Sequence, residues 1–352
     1  MLRRFIGAVL PSMLAFAFSG LYTIVDGFFI GRNIGDIGLA AVNIAYPLAA
    51  LVQAVGTGIG MGGAVWISLY RGKGDREREE ECLGNTLTTL FLGGLLLMAL
   101  LFALCGPVLR LSGAEGSVYG EAMVYIRILI GGSLLQLFAT GFAPLIRNYE
   151  GAVTAMGSMI KGIRKEHFLL KKKQMLRIAG TGVSPFGLTI SPFIVIMLIN
   201  RSAHVYGGEA AVAAYAVISY VVAIVQLLLQ GIGDGSQPLM SFYLGIGKPK
   251  QARTVRNMAY LFAAVTALAN MGILCLLRSA VSGFFGASSA AFPIVAESMP
   301  VFTAGFLFIA FCRTTTSYFY ATKQNLFSYL LVYGEPVLLF FLLTLGLPPV
   351  MK

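Results

Sequence analysis

Nine stretches of predominantly apolar residues, at about 6–30, 38–70, 86–111, 121–146, 178–200, 210–243, 254–277, 293–320 and 326–347, are each long enough to cross a bilayer. Backbone amides in hydrocarbon must find partners within their own segment, so continuous runs of this length fold as helices. Barrel strands would show short alternation of apolar and polar residues instead. The pattern predicts an all-α polytopic membrane bundle of about nine spans. Composition agrees: 57% of the 352 residues are hydrophobic and 12% charged, with a mean hydropathy of +0.80, far from a soluble domain.

A net charge of +11 raises the question of a nucleic-acid partner, and the placement of the cations answers it. Threading the chain with its N-terminus in the cytoplasm puts Arg3, Arg4, Arg71, Lys73, Arg76, Arg78, the eight Lys and Arg from Arg147 to Arg177, Lys248, Lys250, Arg253, Arg256 and Lys323 on the inner side. That is 19 of 26; Arg32, Arg110, Arg201, Arg278 and Lys352 fall opposite. The positive-inside rule accounts for this distribution with the lipid bilayer as partner and no nucleic acid.

The opening MLRRFIGAVLPSMLAFAFSG has the Arg pair and short apolar core of a signal peptide. The apolar run continues past any cleavage site, however, and a similar Pro-containing segment, VSPFGLTISPFIVIMLIN, recurs internally, so it reads as the first span. Cys82, Cys105, Cys275 and Cys312 lack paired or metal-like spacing and read as small hydrophobes.

The chain is internally duplicated. Residues 50–74 and 223–247, a constant 173 apart, agree at 11 of 25 positions without a gap, against roughly two or three by chance. The identities pair Gln53 with Gln226, Gly58 with Gly231, Gly60 with Gly233, Gly62 with Gly235, Ser68 with Ser241, Tyr70 with Tyr243, Gly72 with Gly245 and Gly74 with Gly247. With small shifts Pro11 meets Pro185, Asp26 meets Asn200, Asn85 meets Asn257 and Gly132 meets Gly305. Both copies end in charged loops that the same rule assigns to one face, so the halves are parallel repeats about an axis along the membrane normal, an arrangement that places a cavity between two lobes. The lobes are read as 1–160 and 178–352, joined by a basic cytoplasmic connector at 161–177.

GIGMGG at 58–63 also satisfies G-x-G-x-x-G, but it lacks a preceding strand and sits inside an apolar helix, which argues against a nucleotide site. Gly58, Gly60, Gly62, Gly231, Gly233 and Gly235, with Pro238, read as packing or hinge positions, where missing side chains let helices approach. Pro11, Pro185, Pro192 and Pro300 add sites for kinks.

An acid inside a span is costly and by default functional. Asp26, in the first span, is the candidate ion-coupling residue, exchanging a proton or holding a sodium ion. Asp234, with the neutral Asn43, Gln53, Asn200, Gln226 and Gln237, is the candidate lining of a substrate cavity, with interhelical hydrogen bonding as the plainer alternative. Glu297 and Glu335, nearer helix ends, read as acids that snorkel or pair. No cofactor, metal site or catalytic residue is expected: His167 and His204 lack ligand spacing, and no serine or cysteine has a base partner, so the chain does not read as an enzyme.

Taken together, the N-terminal Pro with first-span Asp26, GIGMGGAVWISLYRGKGD, RNYEGAVTAM, SPFGLTISPFIVIMLIN, VAAYAVISYVVAIVQLLLQGIGDGSQPLMSFYLGIGK and FTAGFLFIAFCRTTTSYFYATKQ resemble the multidrug and toxic compound extrusion (MATE) transporters over nearly the whole chain. The resemblance implies two six-helix lobes in a bacterial cytoplasmic membrane, exporting cationic or amphipathic compounds in exchange for protons or sodium. It implies that Asp26 is the cation-binding acid, and that Asp234 and Gln237 lie on the helix opening the second lobe's cavity wall. The chain departs from the family in running from RNYEGAVTAM straight into KGIRKEHFLLKKKQML, without the equivalents of helices 5 and 6, and in reaching LGLPPVMK where a twelfth would follow. Polar residues on helices 5 and 6 help hold the family's cation, so a shortened, non-transporting relative is the alternative. A lipid-linked precursor flippase ranks below both, because Arg127 and Arg313 are the only basic residues placed inside spans.

A cysteine introduced at Lys73 or at Lys248 is expected to react with a membrane-impermeant maleimide only in inside-out vesicles. Labelling of the two loops from opposite sides would break the parallel relation of the halves.

Overall fold

Two glycines that the repeat pairs, Gly74 and Gly247, end the same helix in each half. Both have positive φ, 71° and 72°, a conformation that glycine adopts without a Cβ penalty. In this computed structural model the described residues are 1–34, 36–111, 116–149, 157, 160, 163–284 and 291–342; they are helical almost throughout and contain no strand.

The helices are α1 Leu2–Ile34, α2 Asp36–Lys73, α3 Arg76–Leu111, α4 Gly116–Gly131, α5 Ser133–Asn148, α6 Lys172–Gly245, α7 Pro249–Leu276, α8 Arg278–Phe284, α9 Ala291–Ala304, α10 Phe306–Ala321 and α11 Asn325–Phe341, with a 3-10 turn at Lys165–Phe168. Charges match the helix dipoles at the α2–α3 turn: Arg71 and Lys73 close α2, and Glu77 and Glu79 open α3. Asp75 Oδ1 accepts the Arg78 amide at 3.2 Å across that turn. Within the long α6, Gly208 leaves helical geometry (φ 65°, ψ −161°) and separates two spans, 172–203 and 214–245.

Among the described residues seven helices are long and apolar enough to cross a membrane, and α4 with α5 makes an eighth if that pair, bent by 55° at Gly132, is one span. Gly305, the repeat partner of Gly132, stands at the matching break between α9 and α10, which together form one span. The ninth expected span corresponds to α11, apolar but only 17 residues long; positions 343–347 lie outside the described residues. The chain is a multi-pass membrane protein.

Two compact units make up the fold, one comprising residues 21–190 and 241–249, the other 1–20, 191–240 and 250–352. They differ from the lobes read in the sequence in where 1–20, 178–190 and 241–249 fall.

In the first unit the glycines of α2 serve two faces. Gly56 and Gly60 lie against α5, at the Leu137 carbonyl with Thr140 and at the backbone of Gly141; Gly58 and Gly62 lie against α6, at Gly182 and at the Ile178 carbonyl. Positions four apart share a helix face and positions two apart nearly oppose. Trp66 Nε1 donates to Arg177 O (3.2 Å) and Thr181 Oγ1 (3.1 Å) on the α6 side. Asn85 of α3 clasps the connector, donating from Nδ2 to His167 O (3.0 Å) and Leu169 O (3.2 Å) and accepting Lys171 N at 2.8 Å.

The second unit repeats the scheme. Gly231 and Gly235 of α6 lie against Met13, Ser12 and Val9 of α1, while Gly233 meets Ser317 of α10. Thus α6 near Pro185 packs on the first copy's glycines, and α1 near Pro11 packs on the second copy's. Small residues and helical spans bury the interior, whereas Leu96, Ile128 and Phe308 are more than 70% exposed, as suits side chains facing lipid.

Replacing Gly60 by Leu drives a side chain into the Gly141 backbone and is expected to destabilise the detergent-solubilised protein by at least about 2 kcal/mol. Gly272→Leu, where nothing lies within 4 Å of the added Cβ, is expected to leave the melting temperature nearly unchanged; equal effects would refute the packing role.

Candidate functional site: a buried arginine between two polar helix faces

Gln226, Gln230 and Asp234 follow one another at four-residue intervals along α6 and so line a single helix face. Across from them α10 carries Arg313, Ser317 and Tyr320, likewise on one face. Arg313 donates to Gln230 Oε1 at 2.9 Å through one terminal nitrogen and to Gln226 Oε1 at 3.3 Å through the other. One to two turns on, the Tyr320 hydroxyl donates to Asp234 Oδ1 at 2.6 Å and to Ser317 Oγ at 3.1 Å. Rising numbers on α6 meet rising numbers on α10, so the two spans run parallel, as the threading of the sixth and eighth spans requires.

The cluster is shut away: Arg313 is 9% exposed, Asp234 2%, Ser317 2% and Tyr320 0%. A guanidinium held there needs compensation. The carboxylates whose charge acts on Arg313 are Glu335 of α11 and Asp234, while the two glutamine oxygens accept its protons. Gly233, between the two stripes, is what lets α10 come this close. The whole arrangement belongs to one unit.

Of the site residues expected from sequence, Gln226 and Asp234 are brought together here, and Gln237, fully buried, lies further along the same helix. Gln53, in the other unit, is half-buried on α2. Asp26, Asn43 and Asn200 fall within helices, but their side chains lie outside the described residues. Gln230, Tyr320 and Ser317 are not among the residues expected from sequence, where Arg313 figures only as one of two basic residues inside spans. The signal for them was the run RTTTSYFYA, five polar side chains within an otherwise apolar span, whose partners lie more than 80 positions away. Among the described residues no group of three or more His, Cys, Asp or Glu is placed to hold a metal ion.

A second polar cluster ties down the other unit at its basic end. Asn148 of the RNYEG segment donates to Ala64 O at 2.7 Å and accepts from Ser68 Oγ. Arg71 pairs with Glu79 at 2.9 Å and also donates to Asn148 O. Burial, then the neighbouring Glu79 carboxylate, hold the Tyr149 hydroxyl well above its ordinary pKa, so it stays a donor to Glu79 Oε1 at 3.3 Å. This cluster joins the repeat segment of α2 to the end of α5.

Arg313→Gln is expected to cost about 3–5 kcal/mol by leaving buried carboxylate uncompensated. Combined with Asp234→Asn, the loss should fall clearly short of the sum of the single losses, as thermal unfolding in detergent would show; strict additivity would mean that the two charges do not act on each other.

With this geometry in view, the comparisons are consistent. The chain aligns with a probable multidrug resistance protein, YoeA, of Bacillus subtilis at 26% identity over 55% of its own length and 43% of the relative's. It aligns with the multidrug export protein MepA of Staphylococcus haemolyticus at 20% identity over 78% of its length and 72% of the relative's; the match thus spans less than half of YoeA. Its fold superposes on that of a MOP superfamily transporter from Pyrococcus furiosus, reported with a binding pocket of reversed polarity suggesting a different function, with a TM-score of 0.85 and 18% identity, covering 99% of this chain and 90% of that one. The MatE family profile matches twice, over residues 11–163 and 182–334, the two halves that the glycine repeat had already paired: the chain belongs to the MatE family.

Proposed function

We propose that the chain is a secondary active transporter that exports cationic or amphipathic compounds across the bacterial cytoplasmic membrane in exchange for protons or sodium. The observation that carries this reading is the double match to one family, together with relatives named as multidrug resistance and export proteins. Asp26 is the ion-coupling acid, and Asn43, Gln53, Asn200, Gln226, Asp234 and Gln237 are substrate contacts.

The buried cluster gives the second half a part in coupling. The Asp234 carboxyl accepts from the Tyr320 hydroxyl and acts electrostatically on Arg313. A proton or cation arriving there competes with both, and Arg313 is then left with Glu335 and the two glutamine oxygens, weaker compensation than two carboxylates. Charge at Asp234 is thereby linked to the fit of α10 on α6.

The 23 positions from Tyr149 to Lys171 are too few for two further crossings, which keeps the non-transporting alternative in play. A third reading, a flippase for lipid-linked precursors, ranks below both, since Arg313 is shut away with its protons on Gln226 and Gln230 and its charge set against Glu335 and Asp234. Export of a fluorescent organic cation from proteoliposomes separates the three. Export driven by an imposed proton or sodium gradient, lost in Asp26→Asn, supports the antiporter. Gradient-independent movement, or full coupling in Asp26→Asn, contradicts it. Absence of any transport favours the non-transporting relative, and specific binding of a lipid-linked saccharide favours the flippase.

A further inference from the structure

A groove of about 400 Å³ opens on the first unit where α6 begins. Ile59 of α2, Thr89 of α3, Leu170, Leu176 and Ala179 line it together with Lys172, whose exposure puts it at the mouth. The Thr89 hydroxyl is turned to its own helix, donating to Asn85 O at 2.7 Å, so the walls present mainly apolar surface. Leu176 is 64% exposed, and Lys172 and Lys173 are exposed beside it.

The charge at the mouth is one-sided. Lys171 is engaged by Glu81 at 2.9 Å, but the first turn of α6 contains no acidic residue and its N-cap makes no side-chain hydrogen bond. Lysines at the positive end of a helix are electrostatically disfavoured unless an anion joins them. The eight residues from Lys172 to Ala179 span about 10 Å from the start of the candidate membrane span Lys172–Ala203, so a groove along them runs from the level of lipid headgroups toward that of the acyl chains. Its rim is held in place: Asn85 clasps residues 167–171 from α3, and Trp66 fastens α6 at Arg177 and Thr181.

From this juxtaposition we infer that the groove seats an anionic phospholipid of the leaflet next to the basic connector, its phosphate on Lys172 and Lys173 and an acyl chain along Leu170, Leu176 and Ala179. A soluble anion has no use for ten ångströms of apolar wall, and an organic cation is repelled at the mouth. A partner helix, about 10 Å across, is too wide for this volume over two turns. The site is independent of the transport reading and of the Arg313 cluster, which belongs to the other unit.

The test uses the full chain reconstituted in phosphatidylcholine vesicles containing a minority of phosphatidylglycerol, re-extracted in mild detergent, with bound lipid counted by native mass spectrometry. Phosphatidylglycerol should be enriched on the protein above its share in the vesicle. Lys172→Gln with Lys173→Gln should reduce the enrichment roughly fivefold per lysine removed. Ala179→Trp, which fills the groove and leaves the lysines, should also abolish it, whereas Lys248→Gln with Lys250→Gln, in the repeat's other charged loop, should preserve it. Enrichment unchanged in the lysine or the Ala179 variant would overturn the proposal. So would an equal loss in the Lys248/Lys250 control, which would reduce the effect to general attraction between a basic surface and anionic lipid.

Discussion

Close approach of helix backbones at paired glycines is the contact on which the rest of this molecule depends. Lipid tails are as apolar as leucine, so helices in a bilayer gain little by hiding apolar side chains and must be held by packing and hydrogen bonds. Gly58 and Gly62 admit the backbone of α6 at Gly182 and Ile178, and Gly231 and Gly235 admit that of α1 at Val9, Ser12 and Met13. Each half's glycine pair thus receives the opening helix of the other half. One duplicated stretch of sequence accounts for both contacts, and the exchange explains why the compact units do not coincide with the two halves of the chain.

The same glycine ladder governs where charge can be placed. Gly233 brings α10 against α6, and only at that separation do Arg313, Gln226 and Gln230 lie within hydrogen-bond reach, with Asp234 and Tyr320 one to two turns further along. A guanidinium in a membrane span is tolerated when its protons and its charge both have partners, and here amide oxygens and carboxylates supply them. The first copy has methionine where the second has Asp234, so the two halves share a scaffold but not a charge. The polar cluster of the first unit, built on Asn148 and the Arg71–Glu79 pair, serves instead to anchor helix ends.

Much of this was legible in the residues because the constraints are local or periodic. Among the described residues apolar run lengths located seven of the nine expected crossings, and an eighth if the bent α4–α5 pair is one span, with α11 shorter. The glycine spacing marked the helices that touch closely, and the pairings of Gly74 with Gly247 and of Gly132 with Gly305 fell at matching helix ends and breaks. What could not be read was which surface each glycine meets, since a small residue records that something comes near without recording what. Arg313 was visible as a residue and invisible as a site: its meaning lies in Gln226 and Gln230, brought alongside by tertiary packing over more than 80 positions.

The exchange of opening helices is tested most directly by a disulfide between α1 and the second copy. Gly20 and Leu227 are neighbours in the second unit, the Leu227 Cδ1 atom lying 3.2 Å from a Cβ built at Gly20. In a chain cleared of Cys82, Cys105, Cys275 and Cys312 and given a protease site in the connector, Gly20→Cys with Leu227→Cys is oxidised in membranes and the connector is cut. The account predicts that the two fragments stay joined until a reductant is added. Fragments that separate without reductant, while a control pair within α10 and α11 still crosslinks, would contradict it.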